Sequence, residues 1–222
     1  GIATYSQGTY TDSNLNSQVS TNGDPQLQAI SNSSGQNSTI TDVAYLEFDF
    51  VSPTSAFNFN FLFSSNEYGE FQCGFSDIFA FLLTDLTTNT TINLAVIPNS
   101  NTPISVKDIR DNAYNSSCTS INPDLFDTYN TVGSNAALNM RGYTVVMNAS
   151  ATIIPNRAYK IKLVIGDYND SDYDSAVFLA AGSFTTTLDL GPDKIICNQT
   201  TITTELETNL YTHTWRKNGV LI

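Results

Sequence analysis

Two stretches repeat with a period of two. In "AYLEFDFV" (44–51), Leu46, Phe48 and Phe50 share one side, with Glu47 and Asp49 on the other. In "AFNFNFLF" (56–63), Phe57, Phe59, Phe61 and Phe63 alternate with Asn58, Asn60 and Leu62. A period of two is that of a strand with one buried face. Each buried Phe contributes roughly 1.5–3 kcal/mol, so the second stretch is expected at the centre of the core.

Further runs follow. "DIFAFLL" (77–83) and "TINLAVI" (91–97), with a Thr/Asn turn between them, predict a hairpin. "GYTVVMNASATII" (142–154) and "AYKIKLVIGD" (158–167) predict a second pair around Pro155 and Asn156. Segment 175–186 reads as one more strand. Residues 1–43 are polar and turn-rich, with only scattered short strands expected. The plausible short helices are 105–111 and 122–130. Residues 1–187 therefore read as an all-β, antiparallel two-sheet sandwich, jelly-roll-like.

A seam falls at "LDLGPDKIIC" (188–197). After it, Cys197, then Trp215 and a turn at Asn218-Gly219, resemble the opening strands of an immunoglobulin-like module. Residues 188–222 are too few to complete one. The expectation is a second domain that continues beyond Ile222, where Cys197 finds its partner. Cys73 and Cys118 then form the simplest disulfide, suited to an oxidising compartment; three buried free thiols fit the spacing equally well.

Composition agrees with strands: 13 Phe, 11 Tyr and only 14% charged residues. The net charge of −12, with nine Lys and Arg in all, argues against nucleic acid and anionic membranes as partners. No apolar run is long enough to span a bilayer. The chain begins at Gly1 rather than Met and shows no signal peptide; for an exported protein the expectation is a targeting segment that has been removed or lies upstream.

The densest charge lies in "GDYNDSDYDSAVF" (166–178), which holds Asp167, Asp170, Asp172 and Asp174. Each close carboxylate pair costs about 4 kcal/mol at roughly 4 Å and an effective dielectric of about 20. Either the loop splays the carboxylates into water, or a cation holds them. Ca²⁺ suits such a set of hard oxygens in flexible geometry. The Asp-x-Asp-x-Asp spacing is that of an EF-hand start, but Ser175 stands where that loop needs Gly and Ala181 where it needs Glu. Zinc is disfavoured, because the single histidine, His213, lies beyond the seam. A second group, "FSSNEYGEFQCGFSDIFAF" (63–81), offers Glu67, Glu70 and Asp77 at strand ends.

Together, residues 46–85, "NLAVIPNSNTPISV" and "YKIKLVIGDYNDSDYDSAVFLAAGSF" resemble the choice-of-anchor L domain of secreted and surface proteins of bacteria, often Bacteroidota with type IX secretion. The S-x-E-Y and D-x-x-D-x-x-x-D-S-x-V-F patterns carry the likeness, over roughly residues 44–184. "GIATYSQG" is similar to the glycine-led segment that precedes the first block, which implies that part of the domain lies upstream. The family's acidic positions fall on Glu67, Asp77, Asp167, Asp170 and Asp174, followed by Ser175, while Asp172 falls at a variable position. The resemblance implies a module of a long surface protein and carries over no ligand and no catalytic residue.

Residues 1–187 contain no histidine for a Ser/His/Asp or Cys/His machine, and no Gly-rich phosphate loop follows a strand. The resulting reading is a noncatalytic, calcium-stabilised module of a secreted or cell-surface protein, adhesive or stalk-like. Its metal ligands would come from Glu67, Asp77, Asp167, Asp170, Asp172 and Asp174, and its partners would be an extracellular glycan or protein and, during export, the secretion machinery. The alternatives are a calcium-dependent carbohydrate-binding module, with Tyr168 and Tyr173 as exposed stacking rings, and a glycoside hydrolase using two carboxylates such as Glu67 or Glu70 with an aspartate.

Overall fold

The structure, a computed structural model, describes residues 8–11, 22–181, 216–217 and 220–221. The described elements are β1 (Gly8–Thr9), α1 (Pro25–Ser33), β2 (Ile40–Val51), β3 (Ala56–Ser65), β4 (Ile78–Asp85) and β5 (Thr90–Asn93), then a 3₁₀ turn (Pro123–Leu125). They continue with β6 (Phe126–Tyr129), β7 (Asn135–Ala136), β8 (Gly142–Thr144), β9 (Met147–Thr152), β10 (Ala158–Tyr168), β11 (Ser175–Leu179), β12 (Arg216–Lys217) and β13 (Val220–Leu221). One sheet runs β2-β10-β4-β5; the facing sheet runs β11-β3-β8-β6, with β9 also paired to β3. All of these pairings are antiparallel. The result is a β-sandwich.

The alternation in β3 has the expected outcome. Phe57, Phe59, Phe61 and Phe63 are all buried, facing Phe79 and Phe81 of β4. Phe59 and Phe61 meet Phe81 edge-on at 4.8 and 4.9 Å between ring centroids, a geometry that the ring quadrupoles favour. Strand β4 reads as an unbroken apolar run because both its faces are covered. Phe79, Phe81 and Leu83 face the sandwich core, while Ile78, Ala80 and Leu82 pack with Leu27, Ile40 and Val164 in a second cluster.

Helix α1 supplies that second cover, and the sequence reading left it out. Asp24 caps it by accepting hydrogen bonds from the Gln26 and Leu27 N–H groups at 3.0 and 2.9 Å, and Pro25 occupies the first turn. The helices expected at 105–111 and 122–130 do not form. The first is a series of turns and bridges; the second is the 3₁₀ turn followed by β6.

The hairpin of β4 and β5 forms, although β5 ends at Asn93. The pairing expected between 142–154 and 158–167 does not. β9 pairs with β3, and β10 lies between β2 and β4 in the other sheet. The turn at Pro155 and Asn156 is a crossover between sheets, pinned by Ile153 N–H to Ser55 O at 2.8 Å and Asn156 N–H to Ser52 O at 2.7 Å.

Beyond the sandwich, β12 pairs with β13. Most of the immunoglobulin-like module expected at 188–222, with Cys197, His213 and Trp215, lies outside the described residues.

Candidate functional site

Five strands end or begin together at one end of the sandwich. β10 runs out through Asp167, β2 enters through Thr41 and Asp42, and β3 leaves through Ser65 towards Glu67. β4 enters from Asp77, and β11 from Asp174 and Ser175. The ladders fix these neighbours, pairing Asp167 with Thr41 and Ser175 with Ser65.

Asp42 reaches this group through a bulge. The β2/β10 register shifts between Ile165 and Asp167, so that Asp42 and Val43 stand against Gly166 alone. Asp42 takes a left-handed conformation there, φ 47°, which Asp tolerates better than most residues. A bulge re-aims a side chain in this way. Gly166 is required opposite it, since a Cβ would come within 2.7 Å of Ile40 Cγ2 and 3.1 Å of the Thr41 carbonyl oxygen.

Among the described residues, Asp42, Asp167 and Asp174 form a cluster in which one carboxylate oxygen from each lies within 4.8 Å of the others. Asp42 and Asp167 are buried. Asp167 Oδ2 is buried and has no hydrogen-bond partner, so its desolvation is uncompensated by any donor.

Glu67 and Asp77 lie alongside, both buried. Glu67 Oε2 accepts the Asp77 N–H at 2.9 Å. Asp77 accepts the Tyr168 N–H at 3.3 Å through Oδ1 and the Ser175 hydroxyl at 2.6 Å through Oδ2. Asp77 thereby joins the start of β4 to β10 and β11 at this end, and Glu67 braces the Asp77 backbone. Asp170 is half-buried, its carbonyl accepting the Thr41 hydroxyl and its Oδ1 the Asp172 N–H at 3.3 Å. Asp172 is exposed. The backbone of Asp174 is tied to β3 through the Asn66 N–H at 3.3 Å.

The electrostatics follow from this crowding. Burial, then the charges of Asp77, Asp42, Asp174 and Asp170, push Asp167 from an ordinary 3.8 up to about 9. Burial also raises Glu67 and Asp77 well above the usual carboxylate range, each reinforced by its acidic neighbours. Asp170 is raised more simply, by burial and by Asp172. Such a set resolves its repulsion by taking up protons or a cation. The donor chemistry is all carboxylate, hydroxyl and carbonyl oxygen, which matches a hard divalent ion and not a soft one.

The structure thus gathers Asp167 and Asp174, places Glu67 and Asp77 beside them, sets Asp170 at the rim and leaves Asp172 in solvent. It adds Asp42, which the sequence reading missed. The two tyrosines differ from the expected exposed rings. Tyr168 is buried at 7% exposure, its hydroxyl accepting the Ser38 N–H and its ring covered by Lys107 Nζ 4.7 Å from the centroid. Tyr173 is half-buried, with its ring 4.5 Å from that of Phe71.

The Cys73–Cys118 disulfide is present, with 5.5 Å between the Cα atoms. Among the described residues, no helix is long and apolar enough to cross a membrane.

No curated protein and no solved structure matches the chain. The family model of the choice-of-anchor L domain matches residues 1–185, so the chain belongs to that family, a surface-associated module of bacterial proteins.

Proposed function

We propose that this is a noncatalytic module of a secreted or cell-surface bacterial protein, adhesive or stalk-like, whose sandwich is held closed at one end by a Ca²⁺ ion. Asp42, Asp167 and Asp174 would supply its carboxylate ligands. The observation that carries this reading is Asp167 Oδ2, a buried oxygen without a donor on one of three clustered carboxylates. A divalent ion neutralises the mutual repulsion and ties β2, β10 and the start of β11 together. Calcium accepts six to eight oxygens in irregular geometry, so backbone carbonyls and water can complete the shell. The partner of the assembled surface protein would be an extracellular glycan or protein.

An ion that binds only the folded chain stabilises it by about 2.7 kcal/mol at a concentration of roughly 100 Kd. Thermal melts in EDTA and in rising Ca²⁺ test the reading: Tm is expected to climb with calcium and to stay flat in Asp167→Asn. Identical melts of the wild type with and without calcium would overturn it. A glycan array run with and without chelator then separates a purely structural ion from one that carries a sugar.

A further inference from the structure

We infer that the loop between β3 and β4 positions the cation site through the ring of Phe71, and that the Cys73–Cys118 disulfide keeps this loop in place. The inference rests on the cation reading above, and assigns a role to residues outside the Asp42–Asp167–Asp174 cluster.

The loop, residues 66–77, carries Glu67 near one end and Asp77 at the other. Between them it is fixed to the segment around 110–118 at several points. Gln72 Nε2 donates to Asp111 O at 2.8 Å, and Arg110 Nη1 donates to Gln72 O at 3.3 Å. Asn115 Nδ2 donates to Gly69 O and Glu70 O at 2.9 and 3.0 Å. The Cys73–Cys118 bond closes the same contact covalently. Within the loop, Gly74 and Phe75 return their N–H groups to Phe71 O at 2.9 and 3.1 Å, which fixes the backbone at Phe71.

From this anchored frame Phe71 meets Tyr173, ring centroids 4.5 Å apart and planes inclined by 35°. Tyr173 sits at φ 66°, a conformation that bulky residues rarely adopt and that persists only where surrounding contacts hold it. The next residue is Asp174. The Phe71 ring therefore holds the backbone turn that aims the Asp174 carboxylate at Asp42 and Asp167, and the disulfide sets where that ring stands. Phe71 is a positioning residue for the ion and not a ligand.

Calcium titrated calorimetrically, with Tb³⁺ luminescence sensitised by tyrosine as a second probe, tests this on the whole chain. Losing one aromatic stack corresponds to roughly three- to tenfold weaker binding, expected for Phe71→Ala and restored by Phe71→Tyr. The same weakening is expected when dithiothreitol reduces the bond, the reagent's two thiols giving up two electrons and two protons to yield Cys73 and Cys118 thiols and a cyclic disulfide. Cys73→Ser/Cys118→Ser repeats that test without reductant. Circular dichroism in EDTA establishes that each protein is folded. A merely structural role would lower the melting temperature in EDTA while leaving Kd within twofold of wild type, and that result overturns the inference. A wild type that binds neither ion overturns the cation reading itself, and this inference with it.

Discussion

Ser175 donates its hydroxyl hydrogen to Asp77 Oδ2 at 2.6 Å, joining the first residue of β11 to the residue that leads into β4, across the end of the sandwich. Asp77 is fully buried, so this donor has no replacement from solvent. Ser175→Ala is expected to cost about 1–3 kcal/mol, the range for leaving a buried acceptor unsatisfied. Urea unfolding in EDTA measures it, and a loss below roughly 0.5 kcal/mol would mean that Asp77 finds its stabilisation elsewhere.

Asp42→Asn separates charge from shape. Asn is equally tolerant of the left-handed backbone at this bulge, so the β2/β10 register should survive. In EDTA the variant is expected to melt no lower than wild type, because one like charge has left the cluster. In calcium it should lose most of the ion's stabilisation, about 2.7 kcal/mol at a wild-type saturation of roughly 100 Kd. Equal calcium increments in both proteins would remove Asp42 from the ligand set.

The pH dependence has a definite sign. Asp167 is raised from 3.8 to about 9 in the folded chain, so between those values the folded state holds a proton that the unfolded state has released. Without metal, its contribution to stability is full below about pH 4 and is lost as pH rises towards 9. Calcium competes with that proton, so binding should release protons and tighten with pH. The gap between melts in calcium and in EDTA is therefore expected to widen from pH 5 to pH 8. A constant gap would place the ion away from Asp167.

The core makes a separate prediction. Phe59 is fully buried and contacts Phe57, Phe61 and Phe81. Phe59→Ala should cost about 3–5 kcal/mol and leave the calcium increment of the surviving folded protein unchanged. Denaturant midpoints with and without calcium check both statements.

Much of this was legible in the chain. Phe57, Phe59, Phe61 and Phe63 declare a one-sided strand by alternation alone, and the aspartates of 167–174 declare an electrostatic problem. Asp42 was not legible, because its membership depends on pairing with β10, far along the chain, and on a bulge that no local pattern marks. Helix α1 lacks a long apolar stripe, so its signal was confined to Asp24 as cap and Pro25 after it. The second expected hairpin failed for a different reason. Adjacent strands joined by a short turn ordinarily pair, but the turn after β9 passes between sheets, and alternation says which face is buried without naming the neighbour.

β11 is short, and its described pairing is to β3 alone, over five residues. It is the last described strand of the two facing sheets. A load entering β11 from its Leu179 end meets the pairs Leu179–Phe61 and Val177–Phe63 first and reaches the Ser175–Asp77 contact last. On the cation reading proposed above, the acidic end is the last part of β11 to give way, and the load it bears would follow the calcium concentration of the surroundings.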